Sequence, residues 1–273
     1  MDISTIVGLI TAFGMLFIAF LMEGGDVQGL LQITAAMIVF GGTAGAILIS
    51  FPMDQVKRAM VMCKIVFTKQ VSDEVDIINQ LAELSEKARK DGLLSLEQDT
   101  QSNPNALIRK GLSLVVDGIE TEVIKDILVR ETYLHENEYH EAATVFESAG
   151  GYSPTMGIVG TVLGLVSVLS NLSNPDELGH KIALAFIATL FGIASANLLW
   201  LPFATKIKVK GKKVKMINDL VIEGLLSIQA GENPRIIKEK LNLALLEKLS
   251  GKKPVEQSEG ADESKGQRGE MNG

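Results

Sequence analysis

The histidines of His135-Glu-Asn-Glu-Tyr-His140 and the single cysteine, Cys63, are the first residues in this 273-residue chain to test for chemistry. Two histidines suit a zinc ion when they stand four apart, as in H-E-x-x-H, because both imidazoles then share one helix face. Here they stand five apart, and at 3.6 residues per turn the two side chains diverge by about 140°. They fit a solvated helix face better than a shared metal. A lone cysteine forms no intrachain disulfide, and without a paired histidine it makes no nucleophile. No G-x-x-x-x-G-K-[ST] loop is present to seat a nucleotide. The expectation is a protein that is not an enzyme and holds no metal or cofactor.

The hydroxyls say more. Residues 151–170, GGYSPTMGIVGTVLGLVSVL, are apolar, carry Pro154 and Thr161, and contain no carboxylate, lysine or arginine. Thr189 sits in a second stretch of the same kind. Gly41-Gly-Thr-Ala-Gly45 and Gly160-Thr-Val-Leu-Gly164 both have the G-x-x-x-G spacing that lets helix backbones touch. Ala183, Ala185, Ala188, Gly192, Ala194, Ser195 and Ala196 make the stretch around Thr189 similarly slim. Pro154 and Pro202 each remove an i→i−4 hydrogen bond and are expected to bend a helix. If the two helices are antiparallel, both bends fall at a similar depth.

The elements that must position these residues are four long apolar runs: Ile3 to Met22, Ile33 to Phe51, Tyr152 to Leu172 and Ile182 to Ala204. Each is free of charge and close to the roughly 20 residues that cross a hydrocarbon core about 30 Å thick. Four such runs in a chain that is 47% hydrophobic and 22% charged read as membrane spans. The first lacks a basic n-region and a small-residue cleavage site, so it reads as a retained span and not a signal peptide. Connections 22–32 and 173–181 are acidic, whereas Lys57 and Arg58 follow the second span and Lys206, Lys208, Lys210, Lys212, Lys213 and Lys215 follow the fourth. The positive-inside rule then puts both termini in the cytoplasm. The net charge of −7 argues against nucleic acid as a partner.

Between and after the spans the pattern is helical, with no strand alternation and no internal repeat. Asp73 to Lys90 places Val75, Ile78, Leu81, Leu84 and Ala88 on one face and ends at Asp91-Gly92, where glycine suits an αL cap. Ser95-Leu-Glu-Gln98 has the spacing of a capping box, and a Ser-Asn-Pro-Asn turn at 102–105 precedes another apolar face. Glu120 to Ala149 lacks proline and glycine, which predicts one helix running into the third span. The fourth span is expected to continue through the lysines and Met216 to Gln229. Gly231-Glu-Asn-Pro234 ends it before a last helix, Arg235 to Leu249. The fold class is thus all-α, a polytopic membrane protein with four transmembrane helices and a helical cytoplasmic region. Its expected parts are spans one and two (1–52), a cytoplasmic segment (53–150), spans three and four (151–204), C-terminal cytoplasmic helices (205–249) and a disordered tail (250–273).

The four-span layout, Pro154-Thr-Met-Gly-Ile-Val-Gly-Thr-Val-Leu-Gly164, Ala188-Thr-Leu-Phe-Gly192, Trp200-Leu-Pro-Phe-Ala204 and Ala88-Arg-Lys-Asp-Gly-Leu-Leu-Ser-Leu-Glu97 resemble the A subunit of the bacterial flagellar motor stator, the MotA/PomA family of the MotA/TolQ/ExbB superfamily. The resemblance runs in order from residue 1 to about 250. ExbB and TolQ share the last two spans in outline but have three spans and lack the Arg89…Glu97 stretch. The resemblance implies an inner-membrane subunit that surrounds a dimer of a B subunit of MotB/PomB type, whose single span carries the ion-binding aspartate. Cation flow between the two would generate torque for motility and chemotaxis. It implies a pentameric ring of this chain set in membrane lipid, with Thr161 and Thr189 facing the aspartate. It further implies that Pro154 and Pro202 couple ion passage to motion, and that Arg89 and Glu97, with Glu131 a weaker third, contact the rotor protein FliG. Threonine at 161, where proton-type stators often have alanine, favours sodium over protons as the transported cation. Two alternatives are an ExbB/TolQ-like subunit driving an envelope machine and a passive membrane scaffold.

Overall fold

The computed structural model of the chain describes residues 2–25, 27–68, 73–170 and 175–250. Helix α1 is Ile3–Met22. After a short turn, Val27–Leu30, helix α2 spans Ile33–Ser50 with a π-helical stretch at Met37–Gly41. Helices α3 (Met53–Phe67), α4 (Glu74–Asp91) and α5 (Ala106–Val116) follow. Helix α6, Thr121–Leu169, is 49 residues long. Helix α7 is made of Pro175–Ser195, a π turn at Ala196–Trp200 and Leu201–Gln229. Helix α8 is Pro234–Ser250. No strand occurs among the described residues. Four helices are long and apolar enough to cross a membrane: α1, α2, α6 and α7.

Side-chain chemistry explains most of the boundaries. Asp73 accepts a hydrogen bond from the Val75 N–H at 3.2 Å and so starts α4. Asn105 does the same for α5, accepting from the N–H groups of Leu107 and Ile108 at 2.9 and 3.2 Å. Gly92 ends α4 at φ 82° and ψ 163°, an extended left-handed geometry and not the αL cap expected. The expected capping box does not form: Leu93–Leu96 is a 3₁₀ turn, and the Ser95 hydroxyl donates to the Gly92 carbonyl at 2.7 Å. Val75 is 51% exposed, and Ile77 takes its place in the buried row with Ile78, Leu81 and Leu84. Both long helices run from an apolar span into a charged outer segment: α6 is continuous through the breaker-free stretch Glu120 to Ala149 and on past Pro154, and α7 continues through the lysines and Met216 to Gln229, as expected. The expected disordered tail beyond Ser250 lies outside the described residues.

Among the described residues the buried apolar side chains gather in three clusters, the smallest of them Ala35, Val39 and Ala188 within the membrane. Outside the membrane, Ile78 and Leu81 of α4, Ile108 and Leu112 of α5, Ile124 and Leu128 of α6, Leu220 and Leu225 of α7 and Ile237 of α8 bury one another. At the membrane boundary Phe146 of α6 stacks on Trp200 at 6.3 Å and meets the edge of Phe203, which in turn packs against Phe67 at the end of α3. Helix α1 stands apart, with no buried residue, and is tied down at its N-terminal end. There the Asp2 N–H donates to Phe67 O at 2.9 Å and the Thr5 hydroxyl to Val66 O at 3.2 Å. The Lys210 ammonium donates to Ile65 O and Thr68 O at 2.6 and 2.5 Å, so three donors satisfy the open carbonyls that end α3. Bonds from Lys206 and Ser4 hold the Asp2 carboxyl well below the usual carboxylate range, while burial pushes Lys210 down against the pull of Asp2.

Leu220→Ala should lower the stability of the cytoplasmic core by about 2–5 kcal/mol through lost burial and a cavity. The check is thermal unfolding of the purified protein in detergent. An unchanged midpoint would remove Leu220 from the core.

Candidate functional site

The site is built where α6 and α7 cross the membrane side by side. A Cβ added at Gly157 would lie 2.8 Å from Ala188 O, and one at Gly192 would lie 2.6 Å from Ser153 O. Only glycine permits that backbone approach. Gly160 and Gly164 extend the contact, each with an added Cβ 2.6 Å from the methyl of Ala188 or Ala185. The second G-x-x-x-G match behaves otherwise: Gly41 and Gly45 face open space, and Gly42 between them packs on Met156.

This close contact brings the hydroxyls together. The Thr161 and Thr189 hydroxyls are hydrogen-bonded to each other across the seam. Thr161 also lies 3.2 Å from Gly157 O in its own helix and 3.0 Å from Ala185 O in the other, and Thr189 lies 3.4 Å from Gly157 O. Two hydroxyls hold two protons and four lone pairs. One proton joins them and the other goes to a carbonyl, so three lone pairs remain to face a donor or a cation. Sequence reasoning missed a second pair about two turns away along both helices, towards their charged ends. Ser153 and Ser195, 0% and 3% exposed, are hydrogen-bonded at 2.6 Å. Their signal was available, since a hydroxyl in an uncharged span needs a partner.

Pro154 lies inside α6, which continues through it. Pro202 stands two residues past the π turn of α7, so the helical pattern is interrupted beside only one of the two prolines. The two lie at similar depth: Gly150, one turn before Pro154, packs on Leu201, with an added Cβ 2.6 Å from Leu201 Cδ2. Arg89, in the last turn of α4, and Glu97, just after the 3₁₀ turn, are both exposed and have no ion partner among the described residues. A 2.7 Å pair between Lys87 and Asp99 ties their two segments together. Glu131 is placed differently, half-buried on α6 and ion-paired with Lys110 of α5. His135 lies near Glu131 and Glu138 at 4.0 and 3.6 Å, and no cluster of metal-ligating side chains occurs among the described residues.

The model of the MotA/TolQ/ExbB proton channel family matches residues 99–219, and that of the motility protein A N-terminal region matches residues 6–92. Motility protein A of Bacillus subtilis is 37% identical over 247 residues, covering 90% of this chain and 91% of that protein. The chain belongs to the MotA/TolQ/ExbB proton channel family. The chemotaxis protein PomA of Vibrio alginolyticus is 32% identical over 256 residues, 94% of this chain and 99% of that one. Among solved structures, C. jejuni MotAB has a TM-score of 0.86 at 32% identity, covering 89% of this chain and 96% of that chain. The flagellar MotAB stator complex of Bacillus subtilis has a TM-score of 0.83 at 36% identity, covering 90% and 98%. Within the family the chain is therefore a multi-pass inner-membrane subunit of MotA/PomA type, an ion-channel component of the flagellar stator and not an enzyme. The match to the motility N-terminal region sets it apart from the ExbB/TolQ alternative.

Gly192→Ala should separate α6 from α7 at a cost of about 1–3 kcal/mol, because the methyl meets backbone and not a movable side chain. Swarm diameter should collapse while the protein remains in the membrane fraction. Normal swarming would mean that the seam yields without cost.

Proposed function

We propose that this stator subunit forms the wall of a cation path, with sodium the preferred ion, and that a B-subunit helix supplies the carboxylate. The observation that supports it is the Thr161–Thr189 hydroxyl pair, set in a seam with no ionisable side chain. Hydroxyl oxygens can replace part of a cation's hydration shell without holding it as a fixed charge would. The aspartate that binds and releases the ion must then come from a MotB-type partner, and the solved MotAB complexes favour that assembly. On this reading a pentameric ring of this chain set in lipid surrounds a B dimer; both termini are cytoplasmic, which fits the lysines that follow the second and fourth spans.

In this reading Pro154 and Pro202 carry the motion of the seam into the cytoplasmic halves of α6 and α7. Arg89 and Glu97 then meet the rotor protein FliG, with Glu131 contributing less because Lys110 already neutralises it. One elementary charge crossing a potential of about 150 mV releases about 3.5 kcal/mol. That suffices to reset a few hydrogen bonds and not to open a packed core.

The test is swimming speed and ion uptake of cells carrying this subunit with its B partner, with sodium varied at fixed proton-motive force. Speed should track sodium, and Thr161→Ala should reduce it by about tenfold, the factor for losing one hydrogen bond to a charged group. Speed indifferent to sodium, with the variant nearly normal, would make protons the driving ion and Thr161 a packing residue.

A further inference from the structure

Pro202 changes the hydrogen bonding of α7 and not only its path. In the π turn the Leu201 N–H bonds to Ala196 O, five residues back. The next residue is Pro202, which has no N–H. The Asn197 carbonyl would need the N–H of residue 201 in an α-helix or of residue 202 in a π-helix. It is left without either. The Asn197 side chain is exposed beside it and donates through Nδ2 to Ile193 O at 2.9 Å, which leaves Oδ1 free to accept. At membrane depth such a carbonyl persists only where it lines water or meets a polar group.

Two adjoining clefts open beside it. They have volumes of about 530 and 320 Å³ and share Asn197, Pro202 and Lys206 as walls. The larger is also lined by Asp2, Leu201, Thr205, Val209 and Lys210, and the smaller by Ser4, Thr5 and Leu9 of α1. From the threonine pair the row Thr189, Ile193, Asn197 descends one side of α7 at i, i+4 spacing. Ile193 is 49% exposed and Asn197 is likewise open. At 1.5 Å per residue Asn197 lies about 12 Å from Thr189, towards the lysine-rich end.

We propose that Asn197 is a second oxygen station on the ion path, where the orphaned carbonyl and Oδ1 take a partly hydrated monovalent cation from the threonine pair and pass it to water in the cavity beside Pro202. This rests on the reading of the chain as a cation-conducting wall. Lys206, paired with Asp2 at 2.7 Å, and Lys210, held by the carbonyls that end α3, also line the larger cleft. Asp2 neutralises one of these ammonium groups, and the net positive charge that remains disfavours a cation lodging there; conduction requires release as much as binding. Pro202 then acts by withholding a donor as well as by shaping the helix.

The experiment is bead rotation by the full stator, with its B partner, from low to high load at several cation concentrations. The variants are Asn197→Leu and Asn197→Ser; the serine hydroxyl can donate to Ile193 O and still present an oxygen. Asn197→Leu should reduce low-load speed by about tenfold, with membrane level and near-stall torque held, and Asn197→Ser should restore most of it. Wild-type speed for Asn197→Leu at every load would overturn the proposal. So would equal losses in both variants with depletion from the membrane, which would make Asn197 a packing residue. A wild-type stator whose rotation ignores every cation would overturn the conducting reading itself, and this proposal with it.

Discussion

The backbone contact between α6 and α7 at Gly157 and Gly192 is the constraint on which the rest depends. In lipid there is no hydrophobic gain from bringing two apolar helices together, so association relies on close packing and on hydrogen bonds between them. Glycine supplies the first by removing the side chains that would hold Ser153 O and Ala188 O away. The second follows, because hydroxyls on two helices meet only when the axes are this near. Thr161–Thr189 and Ser153–Ser195 are both consequences of that distance.

The same two helices continue out of the membrane and form the centre of the cytoplasmic core. Leu128 of α6 and Leu225 of α7 are fully buried there, on the same continuous helices as Thr161 and Thr189. Rigid elements spanning both regions make any displacement at the seam visible far below it. The Phe146, Trp200, Phe203 and Phe67 cluster lies at the membrane boundary, close to the π turn and the two prolines. The clasp of Asp2, Lys206 and Lys210 fastens α1 and α3 at that level too.

Magnitudes separate what an ion could move from what it could not. About 3.5 kcal/mol per charge at 150 mV is comparable to one large-to-small core substitution. A pair of hydroxyl bonds or a π turn lies within that range, whereas the buried leucines and isoleucines of the cytoplasmic core lie far outside it. On the proposed reading the chain keeps its adjustable hydrogen bonds in the membrane seam and its rigidity in the cytoplasm.

Local composition was enough to determine the four spans, the all-helical class and the continuity of α6 and α7; the caps at Asp73 and Asn105, which the sequence reading did not pick out, rest on equally local chemistry. Each depends on residues near one another in sequence: uncharged length, absent breakers or a side-chain oxygen two or three positions from the N–H it meets. The lack of ionisable groups in the spans was equally legible, and with it the need for charge from elsewhere. Tertiary structure alone decided which glycines touch, since Gly41 and Gly45 have the same spacing as Gly160 and Gly164 yet face open space. It decided that Ile77 and not Val75 is buried, that two serines pair across 42 residues, and that Pro202 falls beside a π turn that bares a carbonyl. Those outcomes depend on which helix lies opposite and at what height, and spacing within one helix carries no record of its neighbour.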